Sequence, residues 1–83
     1  MEAKTKDGTP ILNLYWARVR VWHVWGKTES GESLVLYCLD DCEGDALDSA
    51  LEWAGEEGSD DRGLNVAEAS KEVFEEVLLL REL

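Results

Sequence analysis

The chain has 83 residues, of which 45% are hydrophobic and 33% are charged, and its formal net charge is −11. This length predicts one small domain, and the hydrophobic content excludes a disordered chain of low hydrophobicity. The negative charge argues against direct binding to nucleic acid, because phosphate contacts need lysine and arginine, and it favours a partner with a basic surface.

Residues 1–10, MEAKTKDGTP, are polar and contain the only proline. They predict a flexible N-terminal arm with a turn at 7–10, followed by a single α+β domain over 11–83. The first residues are charged and lead into no apolar segment, so no signal peptide is predicted. No apolar stretch reaches the roughly 18 residues that a membrane span needs, and we expect a cytoplasmic protein without membrane contact.

The segment 14–25, LYWARVRVWHVW, is rich in β-branched and aromatic residues and predicts a β-strand. A turn over 26–32 follows, with a glycine near each end. The apolar segment 33–39, SLVLYCL, predicts a second strand. The two strands are expected to form an antiparallel hairpin.

The two faces of the first predicted strand differ in polarity. The face that carries Val21, His23 and Trp25 is mostly apolar and is predicted to contact the core. The opposite face provides a secondary interface candidate, which consists of Trp16, Arg18, Arg20 and Trp22. Tryptophan and arginine are enriched in interface hot spots. If the second helix covers this face instead, the tryptophans are core residues.

The hydrophobic period changes after residue 39. Apolar side chains at helical spacing predict an amphipathic helix over 42–54, and they are Ala46, Leu47, Ala50, Leu51 and Ala54. Asp40 or Asp41 is suited to cap this helix, because a carboxylate accepts hydrogen bonds from the free backbone N–H groups. Gly55 is suited to end it.

The segment 64–82 allows two interpretations. Asn65-Val66-Ala67-Glu68 matches a capping box, which predicts a second helix over 66–82. Residues 64–70, LNVAEAS, also alternate in polarity, which would make them a third strand. We therefore expect an α+β fold with an antiparallel β-hairpin followed by two amphipathic helices (ββαα), and ββαβα is the alternative.

The acidic residues are concentrated in the second half of the chain. Residues 1–39 have a net charge of +1, whereas residues 40–83 have a net charge of −12. The candidate partner-binding residues are Asp41, Asp45, Asp48, Glu52, Glu56, Glu57, Asp60 and Asp61. The first five of these are three or four residues apart, so on a helix they form one carboxylate ridge.

Two interpretations of this ridge remain open. It is either the solvated outer face of an amphipathic helix or a surface that binds a partner. An ordinary outer face mixes charges, because Glu–Lys pairs at i,i+4 stabilise a helix and like charges destabilise it. A ridge without lysine gives up that stabilisation, which is the argument for a binding role.

The acidic segments DDCEGDALDSALEWAGEEGSDD (40–61) and EASKEVFEE (68–76) resemble those of small acidic inhibitors from phages and mobile elements, the DNA-mimic and anti-CRISPR proteins. The resemblance is one of type, since these inhibitors share no common motif. It implies a decoy whose carboxylates have a spacing similar to that of phosphates along a nucleic-acid strand. A nucleic-acid-binding protein would be its partner.

Catalytic and cofactor-binding motifs are missing from the sequence. The serines have no glycine-framed nucleophile context, and there is no phosphate-binding glycine loop. Cys38, Cys42 and His23 provide too few soft ligands for a structural zinc site, and we expect two buried, reduced thiols. No enzymatic activity, cofactor or metal is therefore predicted.

The leading hypothesis is a non-enzymatic binding protein that presents its acidic ridge to a basic protein surface. In its most concrete form, it is an inhibitor that occupies a nucleic-acid-binding site. The alternative is a small structural or regulatory module that associates through its hairpin, either with a second copy or with another protein. In that case the acidity serves solubility.

Overall fold

The computed structural model describes residues 3–83, which form a five-stranded mixed sheet with two helices. The strands are β1 (Ala3–Lys4), β2 (Pro10–Leu12), β3 (Val21–Lys27), β4 (Ser33–Leu39) and β5 (Leu64–Glu68), and the helices are α1 (Glu43–Trp53) and α2 (Lys71–Arg81). The sheet order is β1-β2-β4-β3-β5. Among the strands of residues 3–83, only β2 and β4 are parallel neighbours. The predicted α+β class is confirmed, but the sheet has more strands than the sequence predicted.

The predicted hairpin is present as β3 and β4, whose register pairs Trp22 with Cys38. Its first strand begins at Val21 and not at residue 14. Val21 pairs with Leu39, the last residue of β4, so the residues before Val21 have no strand partner there. Residues 13–20 are a loop, and Asn13 starts it with a left-handed backbone at φ 56°.

Of the two interpretations of the strand faces, the one in which a helix covers Trp22 is correct for that residue. The expectation that Val21, His23 and Trp25 all contact the core is fulfilled only at Val21. Trp22 is only 3% exposed and packs, together with Val24, in the core under α1. The opposite face is buried only at its Val21 end, where α2 contributes Val77 to a second core cluster. Both faces of the sheet are therefore apolar, but α2 covers one of them incompletely.

Residues 3–10 form ordered structure, which corrects the predicted flexible arm. β1 pairs antiparallel with β2, so the segment returns on itself. Asp7 accepts hydrogen bonds from the hydroxyl groups of Thr5 and Thr9 within the turn. The backbone N–H of Lys6 donates to the carboxylate of Glu76 on α2 at 2.7 Å. Residues 1 and 2 of the predicted arm lie outside the described residues.

Helix α1 is close to its predicted bounds but is not capped as expected. Its N-cap residue is Cys42, which makes no side-chain capping bond. Asp40 is buried and Asp41 bonds elsewhere, so neither carboxylate caps the helix. The helix buries Ala46, Ala50 and Leu51 against the sheet, as their spacing predicted.

The capping box predicted at residues 65–68 is wrong, and the alternative third strand is present. Residues 64–68 form β5, which pairs antiparallel with the outer edge of β3 and satisfies its backbone groups. The second helix starts later, after the N-cap residue Ser70, whose hydroxyl accepts the backbone N–H of Val73 at 3.3 Å. Neither helix within residues 3–83 combines the length and apolar character required to cross a bilayer.

The contact between β3 and β5 depends on glycine, and it provides a stability test. We expect Gly26→Ala to lower the free energy of unfolding by at least about 2 kcal/mol, because φ is +134° and a Cβ would lie 2.3 Å from the carbonyl oxygen of Gly63. Gly31→Ala is the matched control, since its φ is +89° but nothing lies within 4 Å. Urea denaturation measures both, and equal losses would contradict the steric explanation.

Candidate functional site

The outer side of α1 carries three exposed carboxylates, those of Asp45, Asp48 and Glu52. They lie on the side of the helix away from buried Ala46 and Ala50. Because a helix rises about 1.5 Å per residue, they span roughly 10 Å along its axis. Glu57 is also exposed and lines a concavity of about 270 Å³ with Asp48 and Glu52. We call these four residues the acidic face.

The ends of the predicted ridge have other partners. Asp41 precedes the helix, and its carboxylate accepts a hydrogen bond from the indole Nε1–H of Trp16 at 3.1 Å. Glu56 follows the helix, where bonds from the side chain of Thr28 and from Ser30 lower the pKa of its carboxyl. The predicted ridge of five is therefore reduced to three carboxylates on the helix itself.

The last two predicted residues, Asp60 and Asp61, form hydrogen bonds within the loop before β5. The Asp60 carboxylate accepts the backbone N–H of Arg62 and forms an ion pair with its guanidinium at 2.6 Å, and these contacts lower the pKa of Asp60. The backbone carbonyl of Asp61 accepts the N–H of Leu64 at 2.9 Å. The Asp60 carboxylate is therefore paired, and neither Asp60 nor Asp61 lines the concavity that Glu57 shares with Asp48 and Glu52.

The negative charge of the acidic face is not neutralised by neighbouring cations. Within residues 3–83, the ion pairs join Arg20 to Glu68 and Arg62 to Asp60. Helix α1 also has no basic residue in its last turn. Attraction for an external cation is therefore stronger here than on a face of mixed charge.

A groove beside the acidic face was not predicted from the sequence. It has a volume of about 510 Å³ and lies between residues 11–15 and the second half of α1. Tyr15, which is 70% exposed, and Trp53, which is 45% exposed, contribute aromatic surface to it, and Glu52 contributes a carboxylate. Tyr15 and Trp53 are distant in the chain, so the sequence could not predict that they line one groove. The tryptophan at the end of α1 is the one feature of the sequence that points to it.

A buried carboxylate lies behind the polar part of this groove. Asp40 accepts hydrogen bonds from the Cys38 thiol at 2.8 Å, the Ser49 hydroxyl at 2.9 Å and the Asn13 amide at 3.3 Å. Asn13 and Ser49 also line the groove. Burial, together with Asp40, raises the pKa of Cys38, so the thiol stays protonated and donates. The cluster holds the Asn13 loop against α1.

The predicted secondary interface does not form one surface. Trp22 is in the core, where its Nε1–H donates to the carbonyl oxygen of Asp40 at 3.0 Å. The helix that covers it is α1 and not the second helix, which the sequence had suggested. The Arg20 guanidinium lies 4.6 Å from the centre of the Trp22 ring and pairs with Glu68 at 3.1 Å. Trp16 and Arg18 are exposed in the preceding loop.

The uncovered part of the sheet presents a different aromatic surface. His23 lies between Trp25 and Tyr37, with ring centres 4.7 and 4.9 Å away, and partial burial lowers the pKa of its imidazole. Trp25 is 36% exposed, and its cross-strand neighbour Val35 is 55% exposed. We call these four residues the sheet patch.

Comparisons of the chain with protein-family models, with characterised proteins and with solved structures found no match. Function is therefore inferred from the geometry and charge of the described residues.

The two cysteines differ in environment, which corrects the expectation of two buried thiols. Cys38 is buried and bonded to Asp40, whereas Cys42 is exposed. We expect a thiol-reactive disulfide reagent near pH 8 to modify Cys42 rapidly and Cys38 only on unfolding, because the thiolate is the reactive form. Absorbance of the released chromophore measures this, and Cys42→Ser is the control that removes the rapid phase. Two rapid thiols in the native protein would contradict the buried cluster.

Proposed function

We propose that this protein is a non-enzymatic binding protein whose acidic face contacts a basic surface on a protein partner. The observation that carries the proposal is the exposure of Asp45, Asp48 and Glu52 side by side, without an ion-pair partner among residues 3–83. Like charges three and four residues apart destabilise a helix. A cationic partner relieves this repulsion on binding.

In its most concrete form, the partner is a nucleic-acid-binding protein and this chain is its inhibitor. Such a partner already carries lysine and arginine at phosphate spacing, and α1 offers exposed carboxylates along one side of the helix. The observed face is shorter than the sequence predicted. It therefore fits a short basic groove or a single basic helix better than an extended duplex-binding channel.

Charge reversal on the acidic face tests this proposal. We expect Asp45→Lys with Asp48→Lys to weaken binding of a fluorescent oligo-arginine peptide on the order of tenfold at low salt, because each exposed ion pair contributes about 0.2–1 kcal/mol and reversal adds repulsion. Glu72→Lys with Glu75→Lys on α2 is the matched control, with the same change in net charge at two exposed carboxylates. Fluorescence anisotropy at two salt concentrations measures the affinities.

Equal losses in the two double variants would show that net charge alone drives binding, and the proposal would fail. Displacement of a DNA duplex from a basic DNA-binding protein, by the wild-type chain but not by the α1 variant, would support the inhibitor form. Circular dichroism confirms that both variants are folded.

A second candidate function is association through the hairpin, and the sheet patch favours it. Trp25 and Val35 form a cross-strand pair on a face that α2 leaves open. Trp22 is unavailable for this role because it is in the core. The surface of this module would therefore be the sheet patch rather than the predicted Trp16–Trp22 face.

On this second candidate, the wild-type chain forms a dimer that depends on the sheet patch. Val35→Lys is then expected to shift sedimentation equilibrium to the monomer, because an uncompensated charge in an apolar interface is costly. Trp16→Ala, which removes an exposed tryptophan outside the patch, should leave the dimer intact. A monomeric wild-type chain at high micromolar concentration would reject self-association.

A further inference from the structure

The groove between residues 11–15 and α1 combines aromatic surface with a carboxylate. Tyr15 and Trp53 are both substantially exposed, and Leu12 adds apolar contact area. Glu52 is shared with the acidic face, so the groove is continuous with it. Aromatic faces attract cations through the negative potential of their π-systems, and tryptophan does so most strongly. The lining suits a ligand with both an apolar chain and a positive charge.

Elsewhere in this protein, an arginine binds a tryptophan ring and a carboxylate at the same time. Arg20 places its guanidinium over the ring of Trp22, 4.6 Å from the centre, and bonds the carboxylate of Glu68 at 3.1 Å. The groove lining also contains a carboxylate and a tryptophan, those of Glu52 and Trp53. Among the described residues that line it, none is lysine or arginine. The lining itself therefore supplies a tryptophan and a carboxylate but no cation.

Two further features make the groove negative. Helix α1 ends at Trp53 without a basic residue in its last turn, so the negative end of its dipole is uncompensated. Asp40 lies buried behind Asn13 and Ser49, and within residues 3–83 it has hydrogen-bond donors but no ion-pair partner. The nearby Arg81 bonds the carbonyl oxygens of Leu14 and Trp16 instead.

We propose that this groove binds an arginine side chain of the basic partner, with the guanidinium against Trp53 and the carboxylate of Glu52. The inference deepens the proposed function and rests on it. Arginine fits better than lysine, because its planar guanidinium stacks on an aromatic ring while its N–H groups bond a carboxylate at the ring edge. The acidic face then attracts the partner, and the groove recognises one of its side chains.

The test is a titration of the ¹⁵N-labelled chain with a blocked tri-arginine peptide, followed through the tryptophan indole N–H signals. The chain has four tryptophans, so the Trp53 signal is the one that disappears in Trp53→Ala. We expect this signal to shift most and that of Trp25 to remain unchanged. A tri-citrulline peptide, which has the same shape without the charge, should not bind, and tri-lysine should bind more weakly.

Substitutions distinguish binding to the Trp53 ring from nonspecific binding of the peptide. Trp53→Ala and Trp53→Leu should each weaken tri-arginine binding by about threefold to tenfold, since both remove the π-face and the second keeps apolar area. Glu52→Gln should act in the same direction. Trp25→Ala is the matched control on the sheet patch and should have no effect. Trp53 is half-exposed at the helix end, so these variants are expected to fold.

The outcomes distinguish the groove from the acidic face. If Asp45→Lys with Asp48→Lys weakens binding while the Trp53 variants do not, the groove proposal is overturned and the proposed function stands. If the Trp53 variants weaken binding and the Asp45 and Asp48 variant does not, the groove binds arginine and a role for Asp45 and Asp48 is rejected. Glu52 lines both surfaces, so its variant does not distinguish them. Equal binding of the citrulline and arginine peptides overturns the groove proposal.

Discussion

The buried carboxylate of Asp40 connects three parts of this small protein, namely the end of β4, the loop after β2 and helix α1. It is located immediately after β4, and its side chain accepts bonds from Asn13 in the loop after β2 and from Ser49 on α1. Its backbone carbonyl accepts a hydrogen bond from the indole N–H of Trp22 on β3. A buried carboxylate is costly unless its oxygens are hydrogen-bonded, so these donors compensate its burial. The bond from Ser49 adds to the apolar packing that holds α1 on the sheet.

The surface features follow from that position. With α1 anchored over Trp22 and Val24, its carboxylates face outward and its C-terminal Trp53 borders the loop that Asn13 begins. The acidic face and the groove are therefore two parts of one surface, built on a helix rather than on a mobile tail. Helix α2 covers the other face of the sheet only at the Val21 end, which leaves the sheet patch open.

Much of the local structure was predictable. The hairpin, α1 and the helical part of 66–82 carry strong periodicity, and the charge asymmetry is a property of composition. The misassigned segments have local patterns compatible with two structures. LNVAE alternates like a strand while it matches a helix cap, and the free edge of β3 decided in favour of β5. Residues 14–20 have strand-like composition, but β4 ends before it can pair with them.

The sequence by itself determined the α+β class, the spacing of Asp45, Asp48 and Glu52 on one helix face, and the absence of lysine among them, because each depends on neighbours within a few residues. Only the tertiary structure decided that Trp22 is core, that Asp41 and Glu56 have other partners, and that Tyr15 and Trp53 line the same groove. Those outcomes depend on which strands pair and where each helix lies on the sheet. These are long-range contacts, which local periodicity does not encode.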